Sequence, residues 1–525
     1  MGLSRTIIND SYWQDLSIDN KDIEQIYTHL FEKERPLRLE TLVKVLISTR
    51  IAKEAEIEKK QKASMGKIYL PAEIHKIGDE LVFPTLDWAK GQVINIRAGK
   101  NPEVEEFNVI EVKMENDKSK LFASNLHEHS LNNPIVTNEA EAKTNEEEIF
   151  SKIGKQLSIK LESQLLGKKE IVRLGETWFP KAMLVDFNQG HLNIAEAILD
   201  MQQGGPLDTL SLLIQMGSEE LESSELSEFS LNYALKKDSR FDEVGISGKF
   251  SWFLKRLEPD SVRDVPLQLQ FSQSESENEL NPEFEGIITN IDDELDKVKN
   301  PEEIDNKAAS FSLIYPHWRV GSIPLTSKIK HIFPSALETE RVKMMLIDKD
   351  TGQEVSGWVV RPNNYVYGLQ DWYADKGLIP GSIVQVEKSE DPGVVYIQPK
   401  QRRSNREWIK TVLIGADGGI VIALLKQAVS AGFQEQMVIS ISDIASLDQL
   451  WKERKSKSQS LKKDILKMMQ ELSKLNNQRH VHFTELYACI NIIRRCPPSP
   501  ILQTLIEEPE FNHVGDQYFH LIEGS

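Results

Sequence analysis

The stretch Phe511-Asn-His-Val-Gly515 restates Phe241-Asp-Glu-Val-Gly245, with Phe, Val and Gly at the same spacing and an offset of 511 − 241 = 270 positions. The same offset sets Leu231 against Ile501 and Leu235 against Leu505, so the helix before the phrase matches too. Further upstream the apolar ladder Ile194, Ala197, Ile198, Met201 answers Ile465, Met468, Met469, Leu472. A third ladder stands at Ile23, Ile26, Tyr27 and Leu30. The i, i+3, i+4, i+7 spacing marks one face of a 3.6-residue helix. Each ladder is followed by a break: Pro36-Leu37-Arg-Leu-Glu-Thr-Leu42, Pro206-Leu207-Asp-Thr-Leu-Ser-Leu212 and His480-Val481-His-Phe-Thr-Glu-Leu486. The order predicted is helix, short extended link, helix, helix, then a hairpin entered through Phe-x-x-Val-Gly, used two or three times.

That order is the one expected of a winged helix-turn-helix. Val481-His-Phe-Thr-Glu-Leu486, with Phe511-x-x-Val514-Gly515 and Tyr518-Phe519-x-Leu521, resembles the HARE winged-helix domain. That domain occurs in the delta subunit of bacterial RNA polymerase and fused to restriction and chromatin proteins. The resemblance implies association with DNA and transcription, RNA polymerase as a partner, and no catalytic residues. The whole chain also resembles uncharacterised bacterial proteins of similar layout, which adds no function. The first ladder lacks the Phe-x-x-Val-Gly hairpin, so residues 1–66 read as a degenerate copy, beside full copies over 191–266 and 461–525.

With 40% hydrophobic and 27% charged residues, the 525-residue chain has the make-up of ordinary globular protein, and its length implies about three to five compact units. No apolar run reaches the roughly eighteen residues that a spanning helix needs, so no membrane partner is expected. The start carries no apolar leader, and two cysteines cannot build a disulfide framework, so a reducing, cytoplasmic location is expected. A net charge of −18 argues against indiscriminate coating of nucleic acid; contact with DNA must come from local basic patches.

Within a unit bounded at 67–126, the period changes to two from Lys76 to Phe122, with turns at Gly78-Asp79, Lys90-Gly91 and Gly99-Lys-Asn-Pro102. This predicts a small β-barrel similar to Tudor or KOW modules. Residues 127–148 read as an acidic linker and 149–190 as a helix and hairpin connector. Residues 267–308 read as a second acidic linker, including Asp292-Asp-Glu-Leu-Asp296, too poor in core residues to fold alone. The segment 400–460 reads as basic α/β, with Arg402, Arg403, Arg406 and Lys410 joined by Lys452, Arg454, Lys455, Lys457, Lys462 and Lys463. Within it, Gly415-Ala-Asp-Gly-Gly419 lacks the Lys-Ser/Thr of a phosphate loop and predicts a hairpin turn.

Residues 309–399 contain a short helix at Leu325-Thr-Ser-Lys-Ile-Lys-His-Ile-Phe333, capped by Thr326 or Ser327. Gly357-Trp358-Val-Val-Arg361, Tyr367-Gly-Leu369-x-x-Trp372-Tyr373 and Gly377-Leu-Ile-Pro380-Gly381-x-Ile-Val384 follow. This order is similar to the DNA-binding pseudobarrel of plant auxin-response regulators, found also as an effector domain of restriction enzymes. Ser382 stands where that family has Asp. Trp358, Leu369, Trp372 and Val384 are the expected core. Arg319, Lys328, Lys330, Arg361 and Asn363 are the expected phosphate and base contacts, together with Arg402, Arg403 and Arg406 of the basic segment.

No nucleophile elbow, Walker loop, dinucleotide loop or His-Glu-x-x-His occurs, so neither cofactor nor catalysis is expected. His480, His482, Cys489 and Cys496 lack paired-cysteine zinc spacing, and small buried cysteines are expected instead. The expectation is an α+β multidomain chain: two or three winged helices, a small barrel and a β-pseudobarrel. It would bind double-stranded DNA without catalysis, as a transcription or nucleoid regulator. A protein-interaction adaptor associated with RNA polymerase is the alternative, because Ile501-Leu-Gln-Thr-Leu-Ile-Glu-Glu508 is acidic where a DNA-reading helix would be basic. A third class, a restriction-type nuclease, would have to rest on Glu111 and Lys113 behind Pro102-Glu103.

Overall fold

A computed structural model of the chain describes residues 12–13, 16–63, 67–86, 89–101, 106–114, 118–132, 139–217, 224–246, 248–271, 282–296, 307–336, 339–415, 419–456 and 459–522. These residues form a mixed α+β chain with six sheets, divided into two compact units, Met1–Leu184 and Val185–Ser525.

In the first unit, α1 (Asn20–Lys33) opens at Asp19, whose carboxylate accepts the Asp22 N–H while the Asp22 carboxylate accepts the Asp19 N–H, both at 2.9 Å. That reciprocal cap satisfies amides that a helix start otherwise leaves open. β1 (Leu37–Arg38) runs directly into α2 (Leu39–Ala63). Five strands follow, paired in chain order: β2 (Lys67–Ile68), β3 (Glu80–Phe83), β4 (Ala89–Ala98), β5 (Asn108–Met114) and β6 (Ser119–Ser124). The Tyr69 hydroxyl donates to the Ala123 carbonyl at 2.6 Å and ties the ends of this sheet around Leu81, Phe83, Val93, Ile110 and Val112. Then come α3 (Glu139–Leu166) and a hairpin of β7 (Ile171–Leu174) and β8 (Thr177–Pro180).

Two expectations change here. The stretch 127–148 is not a linker throughout, because α3 already runs from Glu139. Nor is 149–190 a connector: α3 and its hairpin supply the third helix and hairpin that the N-terminal copy lacked. Ile153, Leu157, Leu161 and Leu165 of α3 share one core with Ile26, Leu30, Val43 and Ile47. The five-stranded sheet is inserted between the second and third helices.

The second unit begins with α4 (Gln189–Met201), β9 (Leu207–Asp208), α5 (Thr209–Met216), α6 (Glu225–Lys237), β10 (Phe241–Glu243) and β11 (Ser251–Leu254). The face of α4 that packs is Leu192, Ala195, Ile198 and Leu199. Of the expected ladder Ile198 packs, while Ile194 and Met201 are 45% and 79% exposed, so the packed stripe is turned from the expected one. Both stripes have helical spacing, and only packing against α5 and β11 chooses between them.

Next comes α7 (Pro282–Ile291), then the strands β12 (Ala308–Ser312), β13 (Ser322–Pro324), β14 (Arg341–Asp348), β15 (Glu354–Val360), β16 (Tyr365–Tyr367), β17 (Ile383–Lys388) and β18 (Val394–Pro399). Between them lie α8 (Tyr315–Val320) and α9 (Gln370–Asp375). The strands form one curled half-barrel sheet in the order β12-β17-β18-β14-β15-β16-β13, antiparallel except for β14 beside β18. Leu369, Trp372 and Val384 are in its core; Trp358 is buried too, but on the other side, edge-on to Phe253 with ring centres 5.1 Å apart. The Ser382 hydroxyl closes a turn by accepting the Ile379 N–H at 3.0 Å.

A long ribbon of β19 (Gln401–Ile414) and β20 (Ile420–Ala431) follows, with β21 (Ile439–Ile441) parallel to β19. The chain ends with α10 (Ile444–Ser456), α11 (Leu461–Ser473), β22 (Val481–His482), α12 (Phe483–Ile493), α13 (Pro498–Glu507), β23 (Phe511–Gly515) and β24 (Tyr518–Leu521).

Helix, link strand, helix, helix, hairpin therefore occurs three times, with sheet orders β1-β8-β7, β9-β11-β10 and β22-β24-β23. In each, an apolar residue of the link strand faces a buried aromatic of the last strand: Leu37 with Trp178, Leu207 with Trp252, Val481 with Phe519. The first and third copies also share an ion pair. Asp22 of α1 pairs with Arg50 at the middle of α2, and Asp464 of α11 pairs with Arg494 just after α12 at 3.1 Å.

The stretch read as a second acidic linker is packed over 282–296. Phe284, Ile287 and Ile288 of α7 lie in one core with Ile465, Leu486 and Phe511. The acids that follow are buried. Arg495 reaches Asp293 at 2.5 Å and Glu294 at 2.7 Å, with side-chain exposures of 0%, 0% and 5%. The Tyr487 hydroxyl donates to the other Asp293 oxygen at 2.5 Å, and His317 Nε2 lies 2.9 Å from Glu294. The stretch 325–333 is a turn rather than the expected short helix, and Asp292 caps it, accepting the Ser327 and Lys328 amides at 3.2 and 3.1 Å, in place of Thr326 or Ser327. Burial raises the Asp293 carboxyl above its ordinary value. Burial also works against ionised Glu294, but the charges of Arg495 and His317 outweigh it and hold that group low.

Removing one member of this cluster strands the others without compensation. Arg495→Met is expected to destabilise the second unit by about 3–5 kcal/mol in urea unfolding, and adding Asp293→Asn with Glu294→Gln to recover part of it. A loss below about 1 kcal/mol would show that the cluster is not buried as described. Asp296 gives a pH test. Burial, and then the nearby Asp293 charge, push its carboxyl up to about 7. The folded chain thus holds a proton there that the unfolded chain releases near its ordinary value of about 4, so this stability is present below about pH 4 and lost as pH rises through about 7. Melting temperatures across that window should fall less steeply for Asp296→Asn than for the parent.

Candidate nucleic-acid interface

The expected contact residues of 309–399 are not brought together on one surface. The Arg319 guanidinium grips Asp448 of α10 with two bonds, Nε to Oδ1 at 3.0 Å and one terminal nitrogen to Oδ2 at 2.6 Å. Arg361 donates to the carbonyls of Phe333 and Pro334, both at 2.7 Å, and of Lys330 at 3.3 Å. Burial lowers its pKa, the mark of a cation held inside the fold. Lys328 donates to the Thr289 carbonyl at 3.1 Å. Lys330 and Asn363 are exposed. Three of these five side chains therefore spend their donors on the protein itself.

The basic segment is divided in the same way. Lys410, 7% exposed, donates to the Gln436 carbonyl at 2.7 Å and to Glu485 at 2.8 Å. Arg454 pairs with Asp464 at 2.5 Å, and Lys462 with Glu508 and Glu510, both at 2.7 Å. Lys457 lies outside the described residues. Lys452, Lys455 and Lys463 are exposed, and so is the open part of the ribbon. Arg402, Arg403 and Arg406 are all exposed, Arg402 pairing with Glu407 at 2.9 Å while its guanidinium lies 4.4 Å from the Phe433 ring centre.

The register orders this surface. Arg406 faces Ala428, Trp408 faces Lys426, and Lys410 faces Leu424. Successive residues of a strand point to opposite faces, so these six share one face. The other face carries Ile409 and Val429, which are buried, and packs inward. On the outer face Arg406, Trp408, Leu424, Lys426 and Ala428 are all exposed, Trp408 at 66%. No carboxylate stands among the six. Trp408 and Lys426 were not singled out from the sequence. The alternation Arg406-x-Trp408 was visible there, but its cross-strand neighbours depend on the register.

The other candidate chemistries take structural places. Cys489 and Cys496 are buried, and burial pushes both thiols up to about 12. His482 Nδ1 accepts the Thr484 N–H at 3.1 Å and caps α12. Glu111 and Lys113 sit on the same face of β5, while Pro102-Glu103 lies outside the described residues. Among the described residues no group of three His, Cys, Asp or Glu side chains is arranged to hold a metal ion, and no helix is long and apolar enough to cross a membrane.

No family model, curated protein or solved structure gives a significant match to this chain.

The two kinds of arginine and lysine separate experimentally. Arg361→Ala strips charged donors from buried carbonyls and is expected to cost about 2 kcal/mol in chemical denaturation. Lys330→Ala, on exposed surface, should stay within about half a kcal/mol. Equal costs for both would mean that Arg361 is not the tie that its geometry indicates.

Proposed function

We propose that this is a multidomain DNA-binding protein acting without catalysis, a transcription or nucleoid regulator that works in the cytoplasm on double-stranded DNA. The observation that carries the reading is the ribbon: a cationic outer face with no acid among its six strand residues, on a chain whose net charge is −18. In this reading the three helix–strand–helix–helix–hairpin units are winged helices, the last of the HARE type, as their element and sheet orders support. The five-stranded sheet is a Tudor- or KOW-like barrel, and the seven-stranded sheet is a DNA-binding pseudobarrel. Arg402, Arg403 and Arg406 supply phosphate contacts and salt-sensitive affinity, with Lys330 and Asn363 as peripheral contacts.

One observation favours an adaptor that engages RNA polymerase. The third helix of the last unit, α13, carries no Lys or Arg and exposes Ile506 and Glu507, a surface suited to protein rather than to a DNA groove.

Duplex DNA should bind the full chain with affinity that falls steeply as salt rises. Arg403→Glu with Arg406→Glu should weaken binding about equally across sequences and flatten the slope of log affinity against log salt by about one per lost contact. Charge reversal at Lys59, Lys60 and Lys62 is the control for bulk electrostatics. Equal losses in the two variants would remove the ribbon as the site. No binding at low salt, with RNA polymerase recovered on the chain, would replace the DNA reading with the adaptor.

A further inference from the structure

Among the described residues, Trp408 is the tryptophan left most open to water, at 66% exposure. Trp178, Trp252, Trp358, Trp372 and Trp451 are all buried. Its surroundings are specific. Lys426 stands directly across the ribbon, Arg406 two positions back on the same face, and exposed Leu424 on the diagonal. Side chains directly opposite in an antiparallel pair stand about 5 Å apart at Cβ, and diagonal ones remain within reach of a ring. The ribbon thus offers one flat aromatic platform between two cations, and none of the six strand residues on that face is an acid.

A phosphate backbone alone would be met by the cations and has no use for the ring. A duplex hides its base faces in the stack and shows only edges in the grooves, which an indole with a single N–H donor reads poorly. Unpaired bases do offer π-faces, and their phosphates lie within reach of flanking cations. We propose that the outer face of the β19–β20 ribbon binds single-stranded nucleic acid, with Trp408 stacking on an unpaired base and Arg406 and Lys426 meeting the adjoining phosphates. This rests on the nucleic-acid reading above and narrows it to strands that have been opened. DNA and RNA share the stacking chemistry, and the probes distinguish them.

The test uses the full chain with four fluorescent probes: a single-stranded DNA oligonucleotide, the RNA of the same sequence, the DNA duplex, and a single strand with a central run of abasic sites. The expected result is tighter binding to an intact single strand, DNA or RNA, than to the duplex. Trp408→Ala should weaken that binding about 10-fold while Trp408→Phe retains most of it, because stacking contributes on the order of 1–3 kcal/mol per base. On the abasic strand, parent and Trp408→Ala should bind alike. Arg406→Glu should weaken binding to all four probes. If the duplex binds and the single strands bind no better, the stacking proposal is overturned while DNA binding stands. The same holds if Trp408→Ala changes nothing, or weakens intact and abasic strands equally. If none of the four probes binds at low salt, the DNA-binding reading itself fails.

Discussion

The second unit depends on one buried guanidinium. Arg495 sits between Asp293 and Glu294 with no water-facing surface of its own, 202 positions from the first of them. Moving such ions out of water costs several kcal/mol each, and a pair about 4 Å apart recovers only about 4 kcal/mol at an effective dielectric near 20. The cluster therefore does little to lower the free energy by itself. The apolar face of α7 does that, since burying Phe284, Ile287 and Ile288 contributes roughly 1.5–3 kcal/mol apiece. The ions decide where the segment lies. Three successive acids bond to three different places: Asp292 to the turn at Ser327, Asp293 to α12, and Glu294 to both Arg495 and His317 of α8. The half-barrel sheet and the C-terminal helices are thereby held to the same short segment.

The repeated unit shows a second constraint. Its link strand is only two residues long in each copy, too short to hold a sheet by its own hydrogen bonds. Stability comes from the aromatic that closes over it, Trp178, Trp252 or Phe519, each 1% exposed. A unit closed in this way tolerates an insertion between its second and third helices, because neither junction interrupts the sheet or the aromatic lid. The five-stranded sheet occupies that place in the first copy. Its own ends are tied by Tyr69 and Ala123, so it folds around a separate core.

Charge is distributed by the same economy. Several of the cations read from the sequence as contacts or as a basic region are partnered in the fold: Arg319 with Asp448, Lys410 with Glu485, Arg454 with Asp464, Lys462 with Glu508. The open ribbon differs because none of the six outer-face residues of its strands is an acid, although buried Lys410 among them pairs with Glu485. A small cationic surface on an acidic chain disfavours coating of nucleic acid and favours engagement at one place, since repulsion from the rest of the molecule acts beyond a Debye length of about 8–10 Å only weakly.

The sequence by itself determined what depends on near neighbours. The period-two stretch within 67–126, the hairpin entries at Phe241 and Phe511, the third-helix positions Leu231 and Ile501, and the core residues Leu369, Trp372 and Val384 were all legible, because amphipathic spacing and turn residues act within a few positions. Tertiary structure alone decided the rest. It chose Leu192 over Ile194 as the packed stripe of α4, completed the first copy with α3 across an inserted sheet, and buried an acidic stretch whose composition reads as solvent-loving. It also turned Arg319 and Arg361 inward and left Trp408 outside. In each case the deciding partner lies far away in the chain, as Arg495 does for Asp293 and Asp448 for Arg319, and local pattern carries no information about which distant group will satisfy a charge or cover a ring.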